Sequence, residues 1–296
     1  MLRIALFLLT NIAVVVIASV TLSLLGVNHY MSENGLNFQY LLIFCFVFGM
    51  VGSLVSLLLS KTIAKWSTKT AIIKNPTNQK EAWLVDTVEN LARQANIGKP
   101  DVGIFPADQA NAFATGANRN HALVSISSGM LDRYPKEEVA AVLAHEISHV
   151  ANGDMITLTL VQGVVNTFVM FFARVIGFAI DRVVFKHEGE GAGLGYVATV
   201  FVCEIVLGIL ASTIVMWFSR KREFGADEGA AYLVGAPAMV AALTHLQREI
   251  EMPNEMPKSL NAFGISSGKE SGFSLASLFM SHPPLEKRIE ALRNFS

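Results

Sequence analysis

The chain reads as a mostly helical α+β membrane protein with a small β-sheet and about four transmembrane helices. Three observations carry that reading. Hydrophobic residues make up 52% of the 296 and charged residues only 16%, against about a quarter charged in ordinary soluble domains. The apolar surplus is gathered into four blocks, each long enough to cross a bilayer. The sequence outside those blocks mixes amphipathic helical patterns with short strand-like segments. One of the helical patterns carries His145-Glu146-Ile147-Ser148-His149, the spacing H-E-x-x-H. Net charge is −1, so nothing points to nucleic acid or another strongly charged partner.

The first apolar block, Ile4 to Leu25, begins after a single basic residue, Arg3. It is longer than the apolar core of a secretory signal and has no small-residue cleavage site, so it reads as an uncleaved anchor. The link Gly26 to Gln39 has no Lys or Arg, whereas Lys61, Lys65, Lys69 and Lys74 follow the second block, Tyr40 to Leu59. The positive-inside rule then places the link outside and everything after Ser60 in the cytoplasm. Two more blocks, Met155–Ile180 and Leu194–Phe218, flank a polar, glycine-containing stretch at Asp181–Gly193, and Arg220, Lys221 and Arg222 follow the second of them. A buried hairpin packed on the soluble part is the alternative to two full crossings. Arg174 and Glu204 lie at broadly similar depths inside these blocks, and mutual pairing is the simplest way to keep either charge in lipid. The organisation expected is therefore 1–60 membrane pair, 61–154 soluble, 155–218 membrane pair and 219–296 soluble. Cys45 and Cys203 fall in apolar blocks and read as small buried residues. No internal repeat of fixed period is visible.

In the first soluble part, Asn78 suits the cap of a helix from Gln79 to Asn96, with Leu84, Val88, Leu91 and Ala95 inward and Gly98 at its end. Three strand-like segments follow, Val102–Phe105, Ala112–Thr115 and Ala122–Ser127, divided by turn formers such as Pro106, Asp108, Gly116 and Asn118. The H-E-x-x-H helix comes next, with Pro135, Glu137 and Glu138 suiting its start and Gly153 its stop. After 219, Arg222–Val234 and Pro237–Ile250 have helical patterns, 253–274 is rich in Pro, Gly, Ser and Asn, and Leu285–Arg293 closes the chain as a helix.

On a helix His145 and His149 stand one turn apart and project from one face. That is a metal pair, and Glu146 beside it is close enough to reach a water. A third ligand must come from elsewhere. His29 and His187 fall in the predicted external loops, which leaves His121, His245, His282 and the carboxylates. Arg222-Glu223-Phe224-Gly225-Ala226-Asp227 offers two carboxylates one helical turn apart, with Gly225, Ala226, Ala230 and Ala231 allowing close helix approach. Glu223 there can bind the metal while Asp227 accepts the free N–H of a ligand histidine. Composition alone leaves open a solvated acidic face at this place. His282, before a proline pair, is a candidate oxyanion donor, with a packing histidine as the alternative. Asn111, ahead of a predicted edge strand, is a candidate holder of substrate backbone, with a turn former as the alternative.

The run HEISH with ANGD after it, REFGAD beyond an apolar pair, NAFATG upstream and SHPPLEKRIEALR at the end resembles the HtpX family of bacterial membrane zinc metalloproteases. MLRIALFLLTN, QGVVNTFV and ILASTIVMWFSR extend the likeness over nearly the whole chain. The resemblance implies a zincin-like catalytic domain, one zinc ion per chain held by His145, His149 and Glu223, and Glu146 as catalytic base. It also implies a multi-pass protein of the bacterial inner membrane, with a cytoplasmic-facing site and membrane proteins or unfolded polypeptides as substrates. Gly225 departs from members that carry a larger residue at that place in the motif. Other readings are a zinc-stabilised scaffold, a CAAX prenyl endopeptidase, an intramembrane-cleaving protease, and a transporter built on Arg174 and Glu204. An intact Glu146, four spans and the polar residues bracketing HEISH weigh against the first three.

Overall fold

The computed structural model describes residues 38–186, 189, 192–251 and 282–295. The first apolar block, His29, His187 and the segment 253–274 lie outside the described residues. The described residues divide into two compact units, one holding 57–157 with 216–251 and 282–295, the other 38–56 with the described part of 158–215.

In chain order the described elements are α1 (Phe38–Thr68), β1 (Ala71–Ile72), α2 (Gln79–Gln94), β2 (Asp101–Phe105), β3 (Ala112–Thr115) and β4 (Leu123–Ser127). They continue with α3 (Ser128–Arg133), α4 (Lys136–Ala151), α5 (Asp154–Val183), α6 (Leu194–Val234), α7 (Ala236–Glu251) and α8 (Leu285–Arg293). Three of the four apolar blocks fall on α1, α5 and α6, each long and apolar enough to cross a membrane. The protein is a membrane protein with a small mixed sheet, as the sequence predicts.

In the first unit the sheet order is β1-β2-β4-β3. β2 pairs parallel with β4, and β1 and β3 add antiparallel edges. All five residues of β4 are buried, because strands flank it on both sides and helices cover the sheet. The two-residue β1 was not foreseen, since so short a segment carries no alternation to read. α2 starts where expected: the Asn78 side chain accepts from the Glu81 N–H, and Glu81 reaches back to the Thr77 N–H, a reciprocal cap. Its end differs. Asn96, with φ 53°, takes the left-handed position, and Gly98 is needed for another reason, since a Cβ there would stand 2.6 Å from the Asn120 Cα. The core joins Leu84, Val88, Val124, Ile126, Leu143, Ile147, Leu243 and Ile289, among others. It rests α4 against α2, α7, β3 and β4.

In the second unit Arg174 and Glu204 pair as expected. The Arg174 Nη1 donates to Glu204 Oε1 at 2.8 Å and to the Met170 carbonyl at 3.0 Å. Small residues bring α1 and α5 together, since a Cβ on Gly49 would meet Thr167 Oγ1 at 2.6 Å and one on Gly163 would meet Met50 Sδ at 2.5 Å. Asp181 accepts from the Gly193 and Tyr196 N–H groups, so a carboxylate from α5 caps the start of α6.

The sequence divides at 218/219, but the backbone does not break there. α6 is one helix of 41 residues, whose apolar part ends at Phe218 and whose last four turns carry Glu223 and Asp227. A change from apolar to charged composition changes what a helix faces without ending it.

Candidate metal centre

α4 supplies two of the three clustered side chains. Pro135 lies just outside its first turn, its carbonyl accepting from the Glu138 and Val139 N–H groups, and Glu137 and Glu138 sit at the positive end. Gly153, with φ 68°, turns the chain at the other end, a conformation that costs other residues about 1 kcal/mol. Between these ends His145 is 2% exposed and Glu146 7%.

α6 supplies the third. Its approach to α4 depends on Gly229, where a Cβ would stand 2.5 Å from Ser148 Oγ. Ala226 and Ala230 are fully buried beside it. Gly225 does not make the close approach: a Cβ there would meet nothing nearer than Asn152 Nδ2 at 3.9 Å. A larger residue has room at that position.

The side chains converge. His145 Nε2 and His149 Nε2 are 3.1 Å apart. Glu223 places Oε1 3.2 Å from His149 Nε2 and Oε2 3.5 Å from His145 Nε2. Behind them each histidine gives its Nδ1 to a carboxylate, His145 to Asp227 at 2.9 Å and His149 to Asp154 at 2.5 Å. An arginine follows each carboxylate. Arg288, on α8 and fully buried, donates Nε and Nη2 to both oxygens of Asp227 at 2.8 and 2.6 Å. Arg222 donates Nη1 to the Asp154 carbonyl at 2.8 Å. His282 donates Nδ1 to Glu223 Oε2 at 2.6 Å.

These partners set the charges. Burial alone would strip His149 of its proton, but its bonds to Asp154 and Glu223 outweigh that and push its pKa up to about 10. His145 is raised too, with burial opposed by Asp227 and Glu223. Burial would raise Glu223, but the charge of His282 and the hydrogen bonds from the three histidines hold it well below the usual carboxylate range. Asp227 is held low by Arg288 against the same burial effect.

A metal fits this donor set. One nitrogen from each histidine and an oxygen of Glu223 all lie within 4.8 Å of one another. With each Nδ1 bound to a carboxylate, the Nε2 atoms are the ones left to face a cation. Two imidazoles and a carboxylate are the donors that hydrolytic zinc sites use. Glu146 is positioned beside the cluster, near enough for its charge to act on His149.

Of the residues singled out in the sequence, His145, His149, Glu223, Asp227 and His282 are brought into direct contact, with Glu146 adjoining. Asn111 is buried immediately before edge strand β3, its backbone bonded in both directions to Ser127. Asp154, Arg222 and Arg288 were not foreseen as site residues. An Asp just past a glycine turn was a signal available for the first. The other two are set by packing between elements distant in sequence.

A buried H-E-x-x-H pair closed by a glutamate on a second helix is the arrangement of one class of zinc-dependent peptidases. Residues 78–296 match the peptidase family M48. The chain is 61% identical over 292 residues to "Protease HtpX" of Hahella chejuensis, with 99% of both chains covered. It is 62% identical over 296 residues to that of Pseudomonas fluorescens strain SBW25, again with 99% of both covered. For Acinetobacter baylyi the identity is 60% over 299 residues, covering 100% of this chain and 99% of the other. The chain belongs to peptidase family M48 and, within it, to the HtpX proteases. Its fold is similar to that of the crystal structure of S. mikatae Ste24p, with a TM-score of 0.61 at 19% identity, over 96% of this chain and 67% of that one.

Proposed function

We propose that the protein is a zinc endopeptidase of the bacterial inner membrane that cleaves misfolded or damaged membrane proteins on the cytoplasmic side. The observation that carries this reading is the convergence of His145, His149 and Glu223 with Glu146 beside them. His145, His149 and Glu223 would hold a zinc ion, which would supply a Lewis acid to a bound water and to a carbonyl. Glu146 takes the proton of the attacking water and returns it to the leaving amine. His145 and His149 are kept in the tautomer that presents Nε2 by Asp227 and Asp154. His282, at the rim of the cluster, donates to the developing oxyanion. Edge strand β3, which packs beside α4, pairs with an extended substrate backbone, with Asn111 at its start. Such pairing selects for extended chain more than for side chains, and loose sequence preference follows.

The orientation rests on Lys61, Lys65, Lys69 and Lys74 after one apolar block and Arg220, Lys221 and Arg222 after another. Segments 1–60 and 155–218 form the membrane part in this reading, and 61–154 and 219–296 the catalytic part.

The test is cleavage of an unfolded protein by wild type and Glu146→Gln, with bound zinc measured in both. The expected result is one zinc per chain in each and cleavage by wild type alone, abolished by chelation and restored by zinc. Equal cleavage by both would place the activity elsewhere, and zinc without cleavage in wild type would favour a scaffold.

A further inference from the structure

Asp154, the last residue of ANGD, and Arg222, the first of REFGAD, have no role in the peptidase reading of the sequence. Yet Asp154 makes one of the shortest contacts in the site, its Oδ2 2.5 Å from His149 Nδ1. Asp154 is the first residue of α5, placed there by the left-handed Gly153, and is 7% exposed. Arg222 precedes Glu223 on α6. It donates Nη1 to the Asp154 carbonyl at 2.8 Å and Nη2 to Ser219 Oγ at 3.3 Å, and its Nη1 lies 4.0 Å from Asp154 Oδ2.

We infer that Asp154 and Arg222 are positioning residues that set how His149 and Glu223 face each other. The contacts close a ring: His149 to Asp154, Asp154 to Arg222, Arg222 along the backbone to Glu223, and Glu223 back to His149 at 3.2 Å. Asp154 fixes the proton of His149 on Nδ1 and the ring's rotation about its stem. Arg222 holds the backbone at Asp154, so the carboxylate cannot withdraw from the ring. Because Arg222 and Glu223 are neighbours in sequence, the same backbone turn that carries a ligand also anchors the support of another. A carboxylate behind a ligand histidine raises metal affinity by pre-orienting the ring and by making its free nitrogen more basic. This inference rests on the proposed metal-binding role of His149 and Glu223.

The experiment is zinc affinity of the full chain in detergent, measured by competition with a chromophoric chelator, alongside the visible spectrum of the cobalt-substituted protein. Asp154→Ala should lose about 10- to 100-fold in zinc affinity and shift the cobalt spectrum, a loss separate from the lower melting point of the metal-free protein that follows from removing the partner of His149. Arg222→Met should lose about threefold to tenfold, the scale of one hydrogen bond. The double variant should be no weaker than Asp154→Ala alone, because Arg222 acts through Asp154. Asp154→Glu should recover part of the loss. Wild-type zinc affinity and spectrum in Asp154→Ala, with only a lowered melting point, would overturn the inference and leave Asp154 as a helix-start residue. Additive losses in the double variant would overturn the ring. A wild-type chain that binds no zinc would overturn the metal reading itself, and is thereby distinguished from failure of this inference alone.

Discussion

The two histidines of the cluster are supported in the same order, imidazole to carboxylate to arginine, but in opposite surroundings. Behind His145 the chain of contacts is sealed. Asp227 is 2% exposed, Arg288 0%, and the guanidinium grips both carboxylate oxygens. Behind His149 it is more open: the side chains of His149 and Arg222 are each 14% exposed, and Arg222 holds Asp154 chiefly through its backbone carbonyl. A bidentate, dry pair is costly to break because either half alone is a charge without water or partner. A partly wet pair has water to fall back on. The sealed chain is therefore part of what holds the fold together, and the open one serves mainly to aim a ring.

Removing Arg288 separates the two roles most sharply. Arg288→Met should destabilise the metal-free protein by about 3–5 kcal/mol, the scale of a buried ion pair stripped of one partner, as read by denaturant unfolding in detergent. Replacing both members, Arg288→Met with Asp227→Leu, should recover much of that stability but not the zinc affinity, since His145 would still lack its acceptor. If the double replacement is as unstable as the single one, the pair is not the origin of the loss.

The approach of α6 to α4, on which both chains of contacts depend, is the next target. Gly229→Val pushes a side chain into Ser148, 2.5 Å from where its Cβ would lie, and should cost about 1–3 kcal/mol together with zinc affinity.

Acid should act on the sealed chain. Asp227 has its folded pKa below the ordinary 3.8. The stability it contributes is therefore present above that value and is lost as the pH falls through the lowered one. Unfolding free energy should decline on acidification by at most about 1.4 kcal/mol per pH unit from this group, and Asp227→Asn should flatten that limb. The smallest effect is expected at Gly225→Ala, where the space is open. Melting should stay within about 0.5 kcal/mol of wild type or rise with the better helix former.

The contrast also marks what a sequence exposes. Helical spacing alone pairs 145 with 149 and 223 with 227, but only the motif resemblance chose Glu223 and Asp227 over a solvated acidic face. The helix starts at Asn78 and Pro135 and the closing helix Leu285–Arg293 were legible from local capping chemistry and periodicity. Gly229 was passed over for Gly225 because composition shows where small residues are and not which of them a neighbouring helix meets. Asn96 rather than Gly98 ends α2, since Asn tolerates the left-handed region and Gly98 is reserved for the close approach of Asn120. The continuity of α6 was hidden by its change of composition at 219. Arg288 was invisible for a simpler reason: an arginine in a short amphipathic helix looks like a surface charge until its partner on α6 is known.

The chain separation of the two supports has a consequence for how the site is built. Asp154 lies five residues from His149, across one glycine turn, whereas Asp227 comes from roughly eighty residues beyond His145. Loop closure grows with the logarithm of length, and the difference amounts to about 2.5 kcal/mol of chain entropy in favour of the short connection. The His149–Asp154 contact can thus close as soon as α4 and the start of α5 exist, while Arg222, Glu223 and Asp227 must await α6 and Arg288 the closing helix α8. A chain still being synthesised carries a half-built, pre-aimed histidine long before it carries a complete site, so the order of synthesis itself delays the appearance of a working peptidase until nearly all of the protein is made.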